Sequence, residues 1–361
     1  MSLWVVVGGQ FGGEGKGKIS AFITAAEEID ICIRCGGPNS GHTFVADDGS
    51  TVLLRQLPTG YIRPQTRLLI PAGALIDPEV LKYELDLLRL DPKRVGVDRN
   101  AMIIEQSDRD RESHLQLRDR LSSTLCGVGS AVARRALRGT DVTLAGQYAG
   151  EVPWLAELIT DVSEEANSAL DRGKKVLVEG TQGFGLSLYH SHSYPKATSR
   201  DTTAAAFLSE VGLSPLLVTE IVLVCRTFPI RVAGEQAGPL KDEITWEILQ
   251  NESGYSHPIH EMTTVSKKLR RVGRFDWELA RSATAFNRPT MVAINGLDYI
   301  SSENEGAGSF SQLSQSAREF IIALESDLAV PVSFCGTSPS ILFDRRSIQV
   351  GRQILASTAG H

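Results

Sequence analysis

Short β-branched runs alternate along the chain with segments whose apolar residues recur at helical spacing. Leu3–Val7 is a buried-strand pattern that runs into Gly8-Gly9. Ile19, Phe22, Ile23 and Ala26 then share one helical face, so the segment reads strand, glycine loop, helix. The same alternation predicts strands at Ile31–Cys35, Thr51–Leu57, Arg67–Ile70, Met102–Glu105, Lys175–Glu179, Glu220–Arg226, Thr290–Asn295 and Pro331–Cys335. Helices are predicted from Asp77-Pro78 to about Leu90, over Ser107–Leu121, Ala131–Leu137 and Pro153–Arg172, from Asp201 to about Glu210, and over Asp276–Ala285 and Ser314–Ala329. Strands alternating with helices give an α/β class: a mostly parallel central sheet flanked by helices, with a P-loop-like nucleotide-binding topology. Residues 1–361 are expected to form one domain, with the polar, glycine-rich stretch Ser301–Ser311 as a surface loop.

Composition narrows the partners. With 37 basic and 43 acidic residues the net charge is −6, so an anionic ligand must be held by a few placed cations and backbone N–H groups. A broad nucleic-acid surface is excluded on that balance. No apolar run reaches the ~20 residues of a membrane span, and the first residues lack the basic flank of a signal peptide, so a cytoplasmic protein is expected. The five cysteines suit a reducing compartment. Cys32 and Cys35 form a C-x-x-C inside a buried strand pattern, with no second pair to complete a zinc site.

The 33 glycines of the chain crowd most between Gly8 and Gly17, in GGQFGGEGKGK. Glycines let N–H groups converge on phosphate oxygens, a helix N-terminus adds a favourable dipole, and Lys16 and Lys18 add charge. Gly12, Gly17 and Lys18 meet G-x-x-x-x-G-K, but Ile19 stands where a P-loop needs Ser or Thr, and Ser20 breaks a G-x-G-x-x-G. A second glycine loop, Gly36-Gly37-Pro38-Asn39-Ser40-Gly41-His42-Thr43, places a histidine after a strand, where it can donate to a developing oxyanion.

Together the two loops resemble the signatures of the adenylosuccinate synthetase family, G-x-Q-W-G-D-E-G-K-G-K and G-G-x-N-A-G-H-T. Further resemblances follow in order from Val5 to about Asp344. They are the hairpin region Thr51–Leu53 with Leu57–Gly60, the monophosphate loop at Ser123-Thr124 and Gly127–Gly129, and Val132-Ala133-Arg134-Arg135, whose arginine reaches across a homodimer. The purine loops Glu179–Gly183 and Ala197–Ser199, the aspartate loop from Thr263-Thr264 to Gly273, and the base motifs Leu297-Asp298 and Thr337–Pro339 complete the match.

The resemblance implies a carbon–nitrogen ligase of purine biosynthesis. A nucleoside triphosphate phosphorylates O6 of a purine monophosphate, and the amine of L-aspartate displaces that phosphate at C6. It implies Lys16, His42 and Gln182 as catalytic residues, and Gly13 and the Gly41 carbonyl at Mg²⁺. Gly12, Gly15, Lys16, Gly17, Lys18, Gly41, His42, Thr43, Arg270, Asn295, Asp298, Gly336, Thr337 and Ser338 would bind the triphosphate. Gly13, Asn39, Ser123, Thr124, Arg134, Gln182, Thr198, Val232, Thr263, Thr264 and Arg270 would bind the purine monophosphate and aspartate.

Two departures from the family bear on specificity. Gly13 replaces the aspartate that takes the N1 proton of hypoxanthine and ligates Mg²⁺. Three readings compete: a silent nucleotide-binding protein, a synthetase using IMP with another base, and the phage-type relative that uses dGMP. The last is favoured, because glycine leaves room for a 2-amino group beside N1. Asn295-Gly296-Leu297-Asp298 lacks the lysine of T-K-L-D that stacks on guanine, and Gly336 replaces a serine, so ATP or dATP is expected as donor, with GTP possible. His190-Ser191-His192 and His257–His260 are expected to be surface loops, and Glu112 and His114 a solvated helix face.

Overall fold

The computed structural model describes residues 2–45, 51–263 and 267–346. A ten-stranded sheet runs through the molecule. Its strands, numbered along the chain, are β1 (Ser2–Gly8), β2 (Ile31–Arg34), β3 (Arg67–Ile70), β4 (Val95–Asp98), β5 (Ile159–Thr160), β6 (Lys175–Glu179), β7 (Glu220–Arg226), β8 (Met291–Asn295), β9 (Val332–Gly336) and β10 (Leu342–Asp344). They lie side by side in the order β10-β9-β8-β7-β1-β6-β2-β3-β4-β5. Only the β9–β10 pair is antiparallel; the others are parallel, as the β-branched runs and helical crossovers predict.

Both faces of the sheet are covered. Alternate residues of β1 point to opposite sides: Leu3, Val5 and Val7 join one buried cluster with Phe207 and Val178, while Trp4 and Val6 join another with Ile19, Ile23 and Leu177. Cys32 and Cys35 are buried in this sheet region as free thiols, one in each cluster, in keeping with the buried strand pattern around them. No helix among the described residues is long and apolar enough to cross a membrane.

Several boundaries differ from the sequence reading, each for a local reason. The helix predicted over Pro153–Arg172 is split: Pro153–Ala156 and Val162–Asp171 are helical, and between them Ile159-Thr160 pairs with Val97-Asp98. Asp161 restarts the helix by accepting from the backbone N–H of Glu164. Ser107–Leu121 breaks where Gln116 turns left-handed, giving helices Gln106–His114 and Leu117–Leu121. The strand Thr51–Leu57 is cut to Thr51–Leu54, paired antiparallel with His42–Val45. Ser301–Ser311 carries two short 3-10 turns, and β10 carried no clear signal.

The sheet delivers its chemistry at one edge. The loops after β1, β2, β6, β7, β8 and β9 all leave from strand C-terminal ends, where open parallel sheets bind ligands. β1 is central and is flanked by β6 and β7, so its glycine loop lies between theirs. The β6 loop starts with Gly180, whose N–H donates to the Val6 carbonyl. A Cβ there would collide with the Phe207 ring and lie 2.8 Å from the Val6 carbonyl oxygen. Gly180→Ala should therefore cost about 1–3 kcal/mol of stability by overpacking. It should also shift Gln182 and lower activity. Denaturant unfolding checks this, and an unchanged midpoint would show that the loop relaxes freely.

Candidate active site

The glycine loop after β1 closes around its own acid. Glu14 is buried, and one carboxylate oxygen accepts from the N–H groups of Gln10 and Gly12 at 3.0 and 2.8 Å. The other takes the Lys16 ammonium at 2.8 Å. Gly15 adopts φ 90°, a conformation that favours glycine, and Lys16 opens the helix Lys16–Ala26. The loop thus holds a carboxylate on inward-facing N–H groups and a lysine, a donor set that also suits phosphate oxygens.

His42 is fixed from behind. It begins the strand His42–Val45, and its Nδ1 meets the carboxylate of Glu179, the last residue of β6. Nε2 lies 2.9 Å from the Leu57 carbonyl. Glu179 is fully buried and also accepts from Arg34 Nη1 at 2.8 Å and from the Thr59 N–H and hydroxyl at 3.0 and 2.9 Å. Burial alone would raise its pKa. His42, Arg34 and the Thr59 N–H outweigh burial and bring it down to about 2.

Two cavities meet at this edge. The larger, about 510 Å³, is lined by Asn39, Ser123, Thr124, Gln182, Thr198, Val232, Thr263 and Arg270. The smaller, about 430 Å³, is lined by Gly12 to Lys18, Gly41, His42, Thr43, Asn295, Asp298 and Ser338. Gly12, Ser40, Gly41 and Arg270 line both and form the shared wall. A group passing from one cavity to the other would cross beside Gly12, Ser40, Gly41 and Arg270, and Lys16 and His42 line the smaller cavity on one side of that wall.

The far end of the smaller cavity is a buried polar cluster. Asp298 accepts from the Tyr255 hydroxyl at 3.0 Å, and burial pushes its carboxyl up to about 6. Lys18 donates to the carbonyls of Ser338 and Ile341 at 2.8 and 3.2 Å, and burial lowers its ammonium to about 8, against the opposing pull of Asp298. Arg226 loses from burial, yet the Glu261 carboxylate at 2.5 Å more than restores its charge. Asn295 donates to the Glu14 carbonyl at 2.8 Å, while its buried Oδ1 has no partner among the described residues.

Gly13 lines the smaller cavity. The space a side chain would occupy there is not open, as the sequence reading assumed. A Cβ would lie 2.7 Å from Ile230 Cδ1, and Ile230 is itself buried. Nor do the residues present fit a protein-held Mg²⁺. Gly13 offers no carboxylate, Glu14 is committed to Lys16 and two N–H groups, and no cluster of three acidic, His or Cys side chains is poised for a metal among the described residues. The cavity's other carboxylates are engaged as well, Glu179 by Arg34 and His42, Glu261 by Arg226 and Asp298 by the Tyr255 hydroxyl, and carbonyls such as that of Gly41 do not replace the carboxylate that Mg²⁺ sites normally include.

A family model described as adenylosuccinate synthetase matches residues 5–149 and 143–305. A curated adenylosuccinate synthetase from Thermococcus sibiricus is 40% identical over 345 residues, 94% of this chain and 97% of that protein. The chain belongs to the adenylosuccinate synthetase family. The Methanocaldococcus jannaschii synthetase is 41% identical over 342 residues, 93% of this chain and 94% of its own. Among solved structures, the cyanophage S-2L succinoaminodeoxyadenylate synthetase, bound to dGMP and to dATP as an energy donor, is 29% identical with a TM-score of 0.80 over 95% of each chain. The fully ligated Plasmodium falciparum adenylosuccinate synthetase, at 21% identity, shares the fold with a TM-score of 0.81, over 96% of this chain and 100% of that one. As a family member the chain is a carbon–nitrogen ligase, acting on a purine monophosphate and aspartate at the expense of a nucleoside triphosphate.

Against this family pattern, several residues behave differently from expectation. Arg134 lines neither cavity. Its guanidinium is spent in its own chain on Asp108 at 2.7 Å, on Glu105 at 3.3 Å and on the Asp141 carbonyl. Gly336 and Thr337 also line neither. Thr337 is buried and donates to the Ala307 carbonyl, and a Cβ at Gly336 would collide with Asn295 Oδ1. Thr264 lies outside the described residues. Glu112, read as a solvated face, is buried and accepts from the N–H groups of Gly127 and Gly129 at 2.9 and 2.8 Å. His260 lines the smaller cavity, and His190 stacks tilted on Phe286 at 4.5 Å. Ile230, Glu261 and Arg231 stand at the cavities with no motif to flag them.

The depressed pKa of Glu179 has a stability consequence. Its folded value lies below the ordinary 4.5, so its contribution is complete above about pH 4.5 and is lost as the pH falls toward 2. Urea midpoints between about pH 2.5 and about pH 6 should therefore fall with acid in the native chain. Glu179→Gln should be less stable near pH 6, with a flatter profile. Parallel profiles would remove Glu179 from the acid response.

Proposed function

We propose that this ligase joins L-aspartate to C6 of a purine monophosphate that carries a 2-amino group, dGMP, and draws phosphoryl from ATP or dATP. The single observation that carries the acceptor reading is Gly13. The side chain that would face N1 as a carboxylate is missing, so no acid at this position selects for a purine without a 2-amino group, although a Cβ here would meet the end of the Ile230 side chain. The phage enzyme that shares 29% identity was solved with dGMP and dATP, which supports both halves of the reading. On the donor side, the buried, unpartnered Asn295 Oδ1 fits an exocyclic amine such as that of adenine. Gly296 offers no side chain to stack on a base.

In this reading the triphosphate lies in the smaller cavity with its phosphates on the glycine loop, where Lys16 leaves Glu14 for the transferred group. His42 would turn its Nε2 from the Leu57 carbonyl to donate to charge developing at O6, with Glu179 still on Nδ1, and Gln182 holds the purine. Arg270 and Thr263 grip the carboxylates of aspartate through charge-assisted hydrogen bonds. Any magnesium would be held by the triphosphate's own oxygens, and among the described residues the Gly41 carbonyl could add a protein oxygen. The assembly is a homodimer on the family resemblance alone, and Arg134 would have to leave Asp108 and Glu105 to reach a partner subunit.

A second reading, IMP as acceptor, has a specific observation in its favour. The curated relatives at 40–41% identity are adenylosuccinate synthetases, a nearer likeness than the phage enzyme at 29%. Side-by-side kinetics with dGMP and IMP, each with ATP, dATP and GTP, decide between them. The expected result is a higher kcat/KM for dGMP, and for ATP or dATP over GTP. Gly13→Asp alone should depress both acceptors, because Ile230 blocks the new side chain. Gly13→Asp with Ile230→Ala should shift preference toward IMP by about one to two decades, the size of a ~1–3 kcal/mol packing penalty on the 2-amino group. A native preference for IMP would replace the dGMP reading with the second one, and product formation with neither would leave a silent binder.

A further inference from the structure

We propose that Arg231 is a positioning residue for the acceptor: it clamps the Phe11 ring of the glycine loop to the backbone at Lys196, and so fixes the wall against which the purine monophosphate lies. This rests on the ligase reading above and assigns a role within it. Arg231 ends the two-residue strand Ile230–Arg231, which pairs antiparallel with Arg271 and Val272. It is 1% exposed and forms no ion pair with the described residues. Its Nη1 donates to the Pro239 carbonyl at 2.7 Å and its Nη2 to the Lys196 carbonyl at 3.0 Å. Its guanidinium carbon lies 4.4 Å from the centre of the Phe11 ring. Burial, with the nearby charge of Arg271, lowers its pKa to about 10, so it remains a cation near neutral pH.

A buried cation without an acid beside it is a costly way to fill space, and an apolar side chain of similar volume would do so at less cost. What the position uses is the shape of the group. A planar guanidinium can lie flat on a ring and fork to two carbonyls at once. The chain is built to let it do so. Gly238 has φ 107°, and a Cβ there would fall 2.5 Å from Nη2. The Phe11 ring is confined at its edge as well, since a Cβ at Gly185 would fall 2.7 Å from its Cε1. The Gly185 N–H donates to the Gln10 carbonyl at 2.8 Å, and the Thr198 N–H to the Leu186 carbonyl at 2.7 Å. The loop after β6 thus backs both pieces that Arg231 joins.

The clamp acts on one ligand and not the other. Phe11, Lys196 and Thr198 belong to the larger cavity and not to the smaller. The phosphate-facing part of the glycine loop is held separately, by the Glu14 carboxylate on the N–H groups of Gln10 and Gly12 and by Asn295 on the Glu14 carbonyl. Without the guanidinium the Phe11 ring loses the cover on its face, and the backbone at Lys196 loses its donor. The acceptor then meets a loosened wall, while the triphosphate meets the same loop as before.

The test is a double-mutant cycle on the full-length chain: native, Arg231→Gln, Phe11→Leu and the pair, with KM and kcat measured for dGMP, IMP and ATP and urea midpoints recorded alongside. Arg231→Gln should raise the KM of whichever monophosphate the native chain uses about 10-fold, the effect of losing one desolvated cation–π contact or charged hydrogen bond. The KM for ATP and the kcat at saturation should stay within about twofold. Phe11→Leu should give a similar rise, and the pair should give no more than either alone, because the two side chains act as one unit. Arg231→Lys, which keeps the charge but not the flat fork, should show a smaller rise and serves as the comparison should Arg231→Gln not fold. An unchanged monophosphate KM, or effects of the two substitutions that multiply, would overturn the assignment. A parallel loss for ATP and the monophosphate with a lowered midpoint would also overturn it, since the role would then be structural only. A native chain that turns over neither dGMP nor IMP would refute the ligase reading itself, before any variant is compared.

Discussion

One buried carboxylate organises the catalytic edge. Glu179 ends β6 and, with no exposure to water, accepts from three different parts of the chain: Arg34 at the end of β2, His42 at the start of the hairpin, and Thr59 beyond it. A buried charge survives only when its partners compensate it, and each of these partners is needed for that balance. The same compensation aligns β2, β6 and the hairpin on one another, so His42 is held at the wall between the cavities. Removing any one partner would leave uncompensated charge where phosphoryl transfer is proposed to occur.

The sequence made the sheet, the two glycine loops and most of the cavity lining legible, for different reasons. Parallel strands buried on both faces are continuous apolar runs, and β1, β6, β7 and β8 fall within a residue or so of their expected bounds. Short pairings such as Ile159-Thr160 are set by tertiary partners and leave little local pattern. Side-chain commitments were not legible at all. Glu112 reads as surface charge within the polar run QSDRDRES, yet it is buried and accepts from two glycine N–H groups. Nothing local says that Arg134 will be neutralised by Asp108, a residue 26 positions earlier. Gly13 was visible as a missing carboxylate, but its space is filled by Ile230, which is remote in sequence.

The charge layout suits two ligands that exchange a phosphoryl group. The smaller cavity carries the glycine loop, Lys16 and Lys18, and a buried cluster at Asp298 for a base. The larger is lined by hydroxyls and cations, and Gly12, Gly41 and Arg270 belong to both. In a chain of net charge −6 these cations are local exceptions, and burial makes each one count for more than a surface charge. Glu14 keeps the loop N–H groups satisfied, and in the proposed reading phosphate oxygens would take its place.

The central claim is that phosphoryl crosses that shared wall to the purine before aspartate arrives. The most direct measurement is positional isotope exchange in ATP labelled with ¹⁸O at the β,γ-bridge, in the presence of the monophosphate and without aspartate. The account predicts bridge-to-nonbridge scrambling that requires the monophosphate and disappears in His42→Ala. Product formation on adding aspartate, with no scrambling in its absence, would contradict it.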